Sequence, residues 1–384
     1  CFLSKKVLKV VVLLMSIATL FHFESVSRVS IADLYPKKNI IFEDQNGNVL
    51  RWIPDESGER HSWTSLKNIP EIVQKAFVSA EDHRFYSHPG IDVLAIVRAV
   101  KSNLTEGRIV SGASTLTQQL SRLSYPRKRT YYDKLVEVVR SLRIEWMLDK
   151  DKILEFYLNS VPLGNNLLGV KAGSKVYFGK TLSRLTNTEA ALLASLPKAP
   201  GTLNPYGKNI HSLIERKSWV LEQMFKYGYI SSSEMETGLQ TIPLIKPKYF
   251  PFKAPHFIDH VLTVSKKSNQ STTIDLKLQS RVEKILKAHQ FRLKRKSASQ
   301  ASVVILENTN SEILSLVGSI EYSTRHLGFN NGANALRSPG STLKPFLFAQ
   351  ALDSGLDTAT VLEDIERKYV SPQGAYRPVN FNKK

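Results

Sequence analysis

The sequence predicts a mainly α-helical protein with an apolar segment near its N-terminus and a mixed α and β segment at its C-terminal side. Between Ile69 and Leu239, apolar residues recur at the three-to-four-residue spacing of a buried helix face. Residues 7–23 are mostly apolar. After Thr272 the pattern changes to one basic amphipathic helix, 275–293, followed by two short apolar runs that are typical of strands.

Composition narrows the class of partner. The chain has 384 residues and is 42% hydrophobic, which is enough for two domains with sizeable cores. Lys+Arg 53 against Asp+Glu 34 leaves a net charge of +19, so we expect an acidic partner surface. No zinc-finger spacing or stripe of interleaved aromatic and basic residues indicates nucleic acid. Anionic lipid headgroups or a lipid-linked pyrophosphate fit better. The single cysteine, Cys1, excludes an internal disulfide framework.

The apolar segment 7–23 is interpreted as an uncleaved membrane anchor. It is short for a spanning helix of about 20 residues, although Lys9 can extend toward the headgroups. A signal peptide has the same layout, but residues 21–23 are bulky and offer no small-x-small cleavage site. We expect the basic end in the cytoplasm and the body outside, with a buried soluble helix as the alternative. A first residue Cys1 indicates that the true start is missing; a mature lipoprotein is disfavoured by the adjacent apolar segment.

The first polar cluster closes a predicted helix. Glu81 and Asp82 end the apolar helical run 72–80, and the turn 88–90, His-Pro-Gly, then breaks the chain. Asp92 can cap the next apolar helix. Carboxylates are therefore placed at a helix end beside a rigid turn, where a cleft can form. Taken alone, the two acids favour an ordinary solvated helix end, because charge runs are usually solvated faces.

A second polar cluster strengthens the functional interpretation. Residues 112–120, Gly-Ala-Ser-Thr-Leu-Thr-Gln-Gln-Leu, place hydroxyls and two amides at the start of another helix. Together, the two stretches resemble the first two signature motifs of the family 51 peptidoglycan glycosyltransferases, the polymerising domains of class A penicillin-binding proteins. The resemblance implies a lysozyme-like helical domain that polymerises lipid II into glycan strands, with inversion and release of undecaprenyl pyrophosphate.

Such a reaction needs a base and a means of neutralising the leaving group. By resemblance, Glu81 is the general base. The partner acid of the family lies in an Arg-Lys-x-x-Glu motif, which Lys134 and Glu137 match here. Asp133 stands where the family has arginine, and residues 127–129 could supply the missing charge. An ordinary exposed helix acid is the alternative for Glu137.

The resemblance also implies a set of substrate-binding residues. Hydroxyls and amides suit sugar and phosphate oxygens, although the hydroxyls can also cap the helix. Arginine stands at one position where lysine is common, which keeps the charge but changes the donor geometry. Two members of a fourth motif lie four residues apart on one helix face, so we expect them to brace the site. The full set is Asp82, Phe85, His88, Gly112, Ser114, Thr115, Gln118, Gln119, Arg122, Lys134, Glu155 and Asn159.

Further stretches complete the resemblance. Residues 169–180 and the fifth motif, 189–197, match the family, with Glu189 as the polar anchor of a core helix. No organic cofactor is predicted. A divalent cation, Mg²⁺ or Mn²⁺, bridging Glu137 and the pyrophosphate is compatible with the resemblance. His83 and His88 lie across a turn without a second ligand pair, so no structural zinc site is predicted.

A second site is suggested near the C-terminus. Residues 338–346, Ser-Pro-Gly-Ser-Thr-Leu-Lys-Pro-Phe, resemble the acylation motif of penicillin-binding transpeptidases. Ser341 is then the nucleophile, and Lys344 takes its proton. The same pattern, Ser-x-x-Lys, at 195–198 is interpreted as chance. The Ser-x-Asn and Lys-Thr/Ser-Gly motifs do not follow before Lys384, so we expect a truncated chain that neither crosslinks peptides nor binds penicillin stably, unlike its parent.

These interpretations define a domain layout and a set of partners. We expect lipid II, the growing glycan and the bacterial inner membrane as partners, moenomycin as an inhibitor, penicillin for the parent protein, and no nucleic acid. A lytic enzyme on the same fold and a non-catalytic membrane scaffold are the rival functions. Residues 145–148 and 254–257 look most like the 1C branch of the family. The predicted domains are 1–24 anchor, 25–58 linker and β-hairpin, 59–240 glycosyltransferase, 241–271 linker, and 272–384 start of the transpeptidase.

Overall fold

The computed structural model of the protein describes residues 22–106, 114–128, 130–265, 269–324, 327–361, 363, 365–372 and 374–379. The chain divides into two compact units, one ending at Ala333 and the other beginning at Asn334. The predicted anchor 1–24 lies outside the described residues except for 22–24. Within the described ranges, no helix combines the length and apolar character needed to cross a membrane. The anchor therefore stays a prediction.

The first unit is mainly helical, as predicted. Its helices are α1 (Glu71–Glu81), α2 (Val93–Glu106), α3 (Leu116–Ser124), α4 (Tyr131–Met147), α5 (Lys150–Ser160), α6 (Val170–Gly173), α7 (Asn187–Ser195), α8 (Ile210–Lys226), α9 (Ser232–Gln240), α10 (Pro255–Val264) and α11 (Leu276–Lys294). Its strands are β1 (Ile40–Glu43), β2 (Val49–Ile53), β3 (Arg60–His61), β4 (Leu167–Leu168), β5 (Asn269–Ser271), β6 (Val303–Leu306) and β7 (Ile313–Val317).

Two groups of helices share one hydrophobic core. Helices α1, α7 and α8 pack against one another, with α9 on the outside of α7 and α8, whereas α3 packs against α4 and α5. Helix α7 is buried from Thr188 to Ser195, and its first turn is satisfied by a capping box between Thr186 and Glu189. Because α1 ends at Glu81, that carboxylate lies where the two groups meet.

Several local predictions are confirmed. The hairpin of β1 and β2 pairs Ile40 with Ile53, and Gly47 in its turn has a φ of +77°. Such a turn requires positive φ, which glycine adopts without steric strain. Residues 231–234, Ser-Ser-Ser-Glu, have the sequence pattern of a capping box, and Ser231 forms that box with Glu234 at the start of α9. The sequence pattern therefore placed these element ends well.

The predicted linker 241–271 is partly wrong. Residues 241–250 are irregular, but α10 begins at Pro255 and ends at Val264. The physical reason is that proline suits the first helical position, where its missing N–H leaves no intrahelical bond unmade. Strand β5 then pairs in parallel with β1, which places Asn269 opposite Ile41.

The turn between β6 and β7 also differs from expectation. The two strands form the predicted antiparallel pair, with Val303 opposite Val317. Asparagine tolerates positive φ, so the sequence predicts positive φ at Asn310, whereas Ser311 has it, at +60°. The side chain of Asn310 instead accepts a hydrogen bond from the backbone N–H of Glu312 at 3.1 Å. Asparagine stabilises the turn through its side chain, so the strained conformation falls on its neighbour.

A buried lysine holds the end of α9. Lys217 of α8 is fully buried, and its Nζ donates to the carbonyl oxygens of Gly238 at 2.7 Å and Thr241 at 2.9 Å. These carbonyls belong to a helix end, whose last C=O groups have no intrahelical partner. The lysine therefore satisfies buried acceptors and anchors α9 to α8.

We expect Lys217→Met to lower the free energy of unfolding by about 1–3 kcal/mol, because it leaves those carbonyl groups without a donor. The measurement is a chemical denaturation curve for each protein. Lys226→Met, on the exposed end of the same helix, is the matched control and should change stability by less than about 0.5 kcal/mol. Equal stability of the two variants would show that the buried lysine has no such role.

The second unit contains a short helical segment and one hairpin. A 3-10 turn, Gly340–Leu343, leads directly into α12 (Lys344–Asp353). Strands β8 (Tyr369–Ser371) and β9 (Gly374–Tyr376) pair antiparallel. None of the residues that the structure describes from Asn334 onward is buried. Ser341 lies in the 3-10 turn, and Lys344 is the first residue of α12.

Candidate active site

Glu81 is a buried carboxylate at the C-terminal end of α1. Its Oε2 accepts a hydrogen bond of 2.8 Å from the side chain of Gln119, and its Oε1 has no partner among the described residues. Burial raises the pKa of Glu81, while the Gln119 bond and the charges of Arg216, Lys198 and Arg122 oppose that rise. A carboxylate with a raised pKa is, once ionised, a stronger base than an ordinary exposed carboxylate, which suits a general base.

The side-chain amide of Gln119, which contacts Glu81, is itself oriented by a hydrogen bond from Tyr157. The hydroxyl of Tyr157 donates to Oε1 of Gln119 at 3.3 Å, which leaves the amide nitrogen to face Glu81. Tyr157 is fully buried, and burial raises its pKa well above the ordinary value, so it stays protonated as a donor. A chain of two hydrogen bonds therefore fixes the direction of the carboxylate.

A second polar group surrounds Lys134 on α4. Its Nζ donates to Ser114 Oγ at 3.0 Å and to Gln118 Oε1 at 3.3 Å, and it also pairs with Glu137. The other oxygen of Glu137 lies 3.9 Å from the guanidinium of Arg122. Ser114, Gln118 and Arg122, which were predicted to bind substrate, therefore lie in one cluster with Lys134 and the predicted partner acid, Glu137.

The two carboxylates are related through α3. Gln119 of this helix binds Glu81, Gln118 binds the lysine paired with Glu137, and Arg122 acts electrostatically on both acids. One buried base, several hydrogen-bond donors and two cations, Arg122 of α3 and Lys134 of α4, therefore lie around helix α3. Such a set can accept a proton at one end and neutralise a phosphate at the other.

Asp82 and His88 join the first motif to the second. The Asp82 carboxylate accepts from His88 Nε2 at 3.0 Å and from the backbone N–H of Leu116 at 3.0 Å. The hydroxyl of Thr115 donates to Gly90 O at 2.7 Å and caps α3 by accepting from a backbone N–H. All three side chains are buried, so here they hold the start of α3 in place, and their predicted substrate contacts stay predictions.

The same cluster is the one metal-like grouping within the described ranges. Carboxylate and imidazole atoms of Asp82, His88 and Asp92 lie within 4.8 Å of one another. His88 Nδ1 accepts from the N–H of Gly90 at 3.2 Å, so its Nε2 carries the proton toward Asp82. Asp92 caps α2, as predicted, by accepting from Ala95 N–H at 2.9 Å. Hydrogen bonds therefore engage His88, both oxygens of Asp82 and Oδ1 of Asp92, while Oδ2 of Asp92 lies 3.7 Å from Nε of Arg84.

Other predicted residues brace the loop that leads into α1. Glu155 Oε2 accepts from Leu66 N–H at 2.8 Å. Asn159 forms a two-way pair with the backbone of Thr64, at 2.8 Å in each direction. This is the bracing role expected from their helix spacing. Phe85 is fully buried beneath the ammonium of Lys150, 4.5 Å from its ring centre, and so presents no surface to a ligand.

The replacement at Asp133 has a local consequence. Its Oδ1 lies 2.9 Å from Nε of Arg127, and its Oδ2 accepts from the hydroxyl of Thr130 at 2.6 Å. Arg127 is therefore paired with Asp133 and is not a free substitute for the arginine that the family has at this position. Arg129 and Gly112 lie outside the described residues.

Sequence reasoning missed part of the surroundings of Glu81. Lys198 belongs to the Ser-x-x-Lys pattern interpreted as chance, in which the hydroxyl of Ser195 is buried and donates to Ala191 O at 2.7 Å. Lys198 nevertheless contributes positive charge near Glu81, as does Arg216. Nothing in the local pattern of α8 indicated Arg216, because its position depends on how α8 packs against α1.

The second predicted site, formed by Ser341 and Lys344, is exposed to solvent. Ser341 and Lys344 are both exposed, and no hydrogen bond joins them within the described part of this unit. Ser341 lies in the 3-10 turn and Lys344, three residues later, begins α12, which is the turn and helix start expected from the acylation motif.

Comparison with known proteins identifies the domains. A sequence model described as transglycosylase matches residues 46–225, and one described as the penicillin-binding protein transpeptidase domain matches residues 301–383. Penicillin-binding protein 1C of Escherichia coli is 34% identical over 340 residues, covering 88% of this chain and 43% of that protein. Penicillin-binding protein 1A of Aquifex aeolicus is 31% identical over 421 residues, covering 85% and 57%. Penicillin-binding protein 1A of Escherichia coli is 44% identical over 173 residues, covering 45% and 20%.

A transglycosylase domain followed by a transpeptidase domain defines the class. The chain belongs to the class A penicillin-binding proteins, as the motifs predicted. The likeness to penicillin-binding protein 1C of Escherichia coli agrees with the branch indicated by residues 145–148 and 254–257. The chain spans about half the length of the first two relatives.

Proposed function

We propose that the protein is a peptidoglycan glycosyltransferase that polymerises lipid II into glycan strands. The observation that carries this proposal is the pair of groups along α3: a buried base at Glu81, and the cluster of Lys134, Glu137 and Arg122. A hydrolase that cuts finished glycan needs no cationic cluster for a pyrophosphate. The arrangement therefore favours a transferase over the lytic rival.

In the proposed reaction, Glu81 accepts the proton of the acceptor sugar hydroxyl while its oxygen attacks the anomeric carbon of the donor. The new glycosidic C–O bond forms as the bond to the pyrophosphate oxygen breaks, on the opposite face of the sugar, so the configuration inverts. Gln119 orients the carboxylate of Glu81. The raised pKa of Glu81 makes its ionised form a stronger base than an ordinary carboxylate.

The leaving undecaprenyl pyrophosphate carries negative charge away from the sugar. Lys134 and Arg122 offer donors to its oxygens, and Ser114 and Gln118 add neutral hydrogen bonds. The Mg²⁺ or Mn²⁺ predicted at Glu137 stays a prediction, because both oxygens of that carboxylate face cations and an ion would have to displace Lys134.

The cellular setting belongs to the same proposal. We propose a bacterial inner-membrane protein with a single N-terminal span and its domains on the outer side, where a lipid-linked substrate is reached. The basic and apolar layout of residues 1–24 supports this. When a complete transpeptidase domain is present, Ser341 would be acylated by a stem peptide or by penicillin, with Lys344 taking its proton.

A direct assay separates the candidate functions. Purified protein is supplied with lipid II or, separately, with finished glycan strands. We expect consumption of lipid II, appearance of polymer, and inhibition by moenomycin, which resembles the lipid-linked donor. Shortening of glycan without use of lipid II would favour the lytic rival. An unaffected rate at saturating moenomycin would contradict the site assignment.

The pH dependence of the rate tests the base. Only ionised Glu81 can accept a proton, so kcat/KM should rise with pH through the pKa of Glu81. Arg216 lowers that pKa, so Arg216→Met should raise it and move the acid limb of the profile to higher pH. Arg184→Met, at an exposed position, is the control. An acid limb that moves to lower pH in Arg216→Met would contradict the proposed base.

A further inference from the structure

A cavity lies beside the candidate active site. It has a volume of about 1190 Å³ and lies between the C-terminal end of α3 and the two segments 32–39 and 57–63. Arg122 lines it and also approaches Glu137, so the cavity and the two-carboxylate site share one side chain. Nothing in the catalytic arrangement uses the remaining walls.

One wall is held by a tyrosine. The hydroxyl of Tyr125 donates to Asp33 Oδ2 at 2.9 Å and accepts from the backbone N–H of Ser30 at 2.8 Å. These bonds fix the segment before β1 against the end of α3. The cavity is therefore a built feature of the fold, because its mouth is set by specific hydrogen bonds.

The cavity has aromatic surfaces. The rings of Tyr35 and Trp63 lie 4.8 Å apart between centres, and Tyr35 is 52% exposed. Tyr125 contributes a third ring to the lining. Aromatic rings with polar tips bind ligands that are apolar on one face and polar at their edges. Sugar rings have this character.

Two polar side chains in the lining have unused hydrogen-bonding atoms. The Ser160 hydroxyl and Nδ1 of His61 are buried and have no partner among the described residues. His61 Nε2 lies 2.8 Å from the carbonyl oxygen of Lys37, so that nitrogen carries the proton and Nδ1 is an acceptor. Burial lowers the pKa of His61, which keeps the ring neutral. Unpaired buried polar atoms are uncommon in folded proteins.

The charges of the lining nearly cancel. Lys37, Lys38 and Arg122 face Asp33 and Glu59. This balance differs from the cluster at Lys134, where cations outnumber acids. A strongly anionic ligand gains little here, whereas a ligand rich in hydroxyl and amide groups can pair with both signs of charge.

We propose that this cavity binds a saccharide, as a subsite adjoining the two-carboxylate site through Arg122. That the natural ligand is a section of the growing glycan strand rests on the proposed function. Binding of the sugar itself does not, because none of the aromatic residues involved takes part in the chemistry.

The test uses the Glu81→Gln protein and the β-1,4-linked tetrasaccharide of N-acetylglucosamine, with binding followed by calorimetry. We expect saturable binding that Tyr35→Ala weakens about tenfold or more, since it removes an exposed stacking surface. Tyr131→Ala removes a tyrosine that is 99% exposed and lies outside the cavity, and it should leave the affinity unchanged. Ser62→Trp, which fills part of the lining, should also abolish binding, and thermal melting verifies that each variant folds.

Several results would overturn the proposal. These are absence of saturable binding, equal affinity in the Tyr35→Ala and Tyr131→Ala proteins, or binding of a sugar-free stem pentapeptide in place of the tetrasaccharide. Because Glu81→Gln already lacks the proposed base, the outcome does not depend on whether the protein polymerises lipid II. Failure of the subsite and failure of the proposed function are therefore distinguishable.

Discussion

Replacing Glu81 by glutamine is expected to lower the rate of lipid II polymerisation by about 10²–10⁴-fold, the usual contribution of a positioned general base. Glutamine keeps the shape and can still bind Gln119, but it cannot accept the proton of the acceptor hydroxyl. The measurement is the initial rate of lipid II consumption by purified protein.

Stability separates loss of chemistry from loss of fold in this variant. The folded state raises the pKa of Glu81, so folding favours the protonated form. That contribution is fully present below the unfolded pKa and is lost as the pH rises through the folded value. Above the folded pKa the ionised group therefore makes folding less favourable than a neutral side chain would, so in that pH range Glu81→Gln should melt no lower than the wild-type protein.

Glu71→Gln provides the matched control, because Glu71 begins the same helix and pairs only with Lys75 on the surface, at 2.7 Å. We expect unchanged polymerisation in this control. If Glu81→Gln polymerised lipid II at the wild-type rate in a pure preparation, the assignment of the base would fail and a scaffold role would be favoured.

Lys134→Met is expected to lower kcat/KM by about 10- to 100-fold, which corresponds to the loss of one or two charge-assisted hydrogen bonds. Lys134 contacts Ser114, Gln118 and Glu137, so it holds the cluster together, and in the proposed reaction it would also meet the leaving pyrophosphate. Methionine keeps the length of the side chain without the charge. Steady-state kinetics with lipid II measures the effect.

The control for this variant is Lys171→Met, at an exposed position of α6. It should leave the kinetics unchanged. The acid limb of the pH profile should keep its position in Lys134→Met, because Lys134 is not among the groups that shift the pKa of Glu81. Wild-type kcat/KM in Lys134→Met would remove this lysine from the site.

Local features were predictable from the sequence where short-range chemistry decides them. Helix ends with their own caps, such as Asp92 and Ser231, and the Asn46-Gly47 turn follow from a few neighbouring residues. The linker 241–271 was less predictable, because β5 forms only when β1, distant in sequence, supplies its partner.

In the candidate site, too, some features were predictable from the sequence and others depend on contacts between distant segments. The resemblance to the family's motifs, taken in order along the chain, indicated Glu81, Lys134 and Glu137. It did not indicate that Asp82 and His88 would be occupied with each other, or that Arg127 would be paired with Asp133. Those bonds depend on contacts between elements.

The sequence by itself determined the helical class, the two domains in their order, and the residues suited to acid, base and phosphate chemistry. Periodicity and residue type are local properties, and the chain carries them before it folds. Only the tertiary structure decided the raised pKa of Glu81, the approach of Arg216, and the cavity beside Arg122. Burial and electrostatic interaction depend on distances between segments far apart in the chain, which packing alone sets.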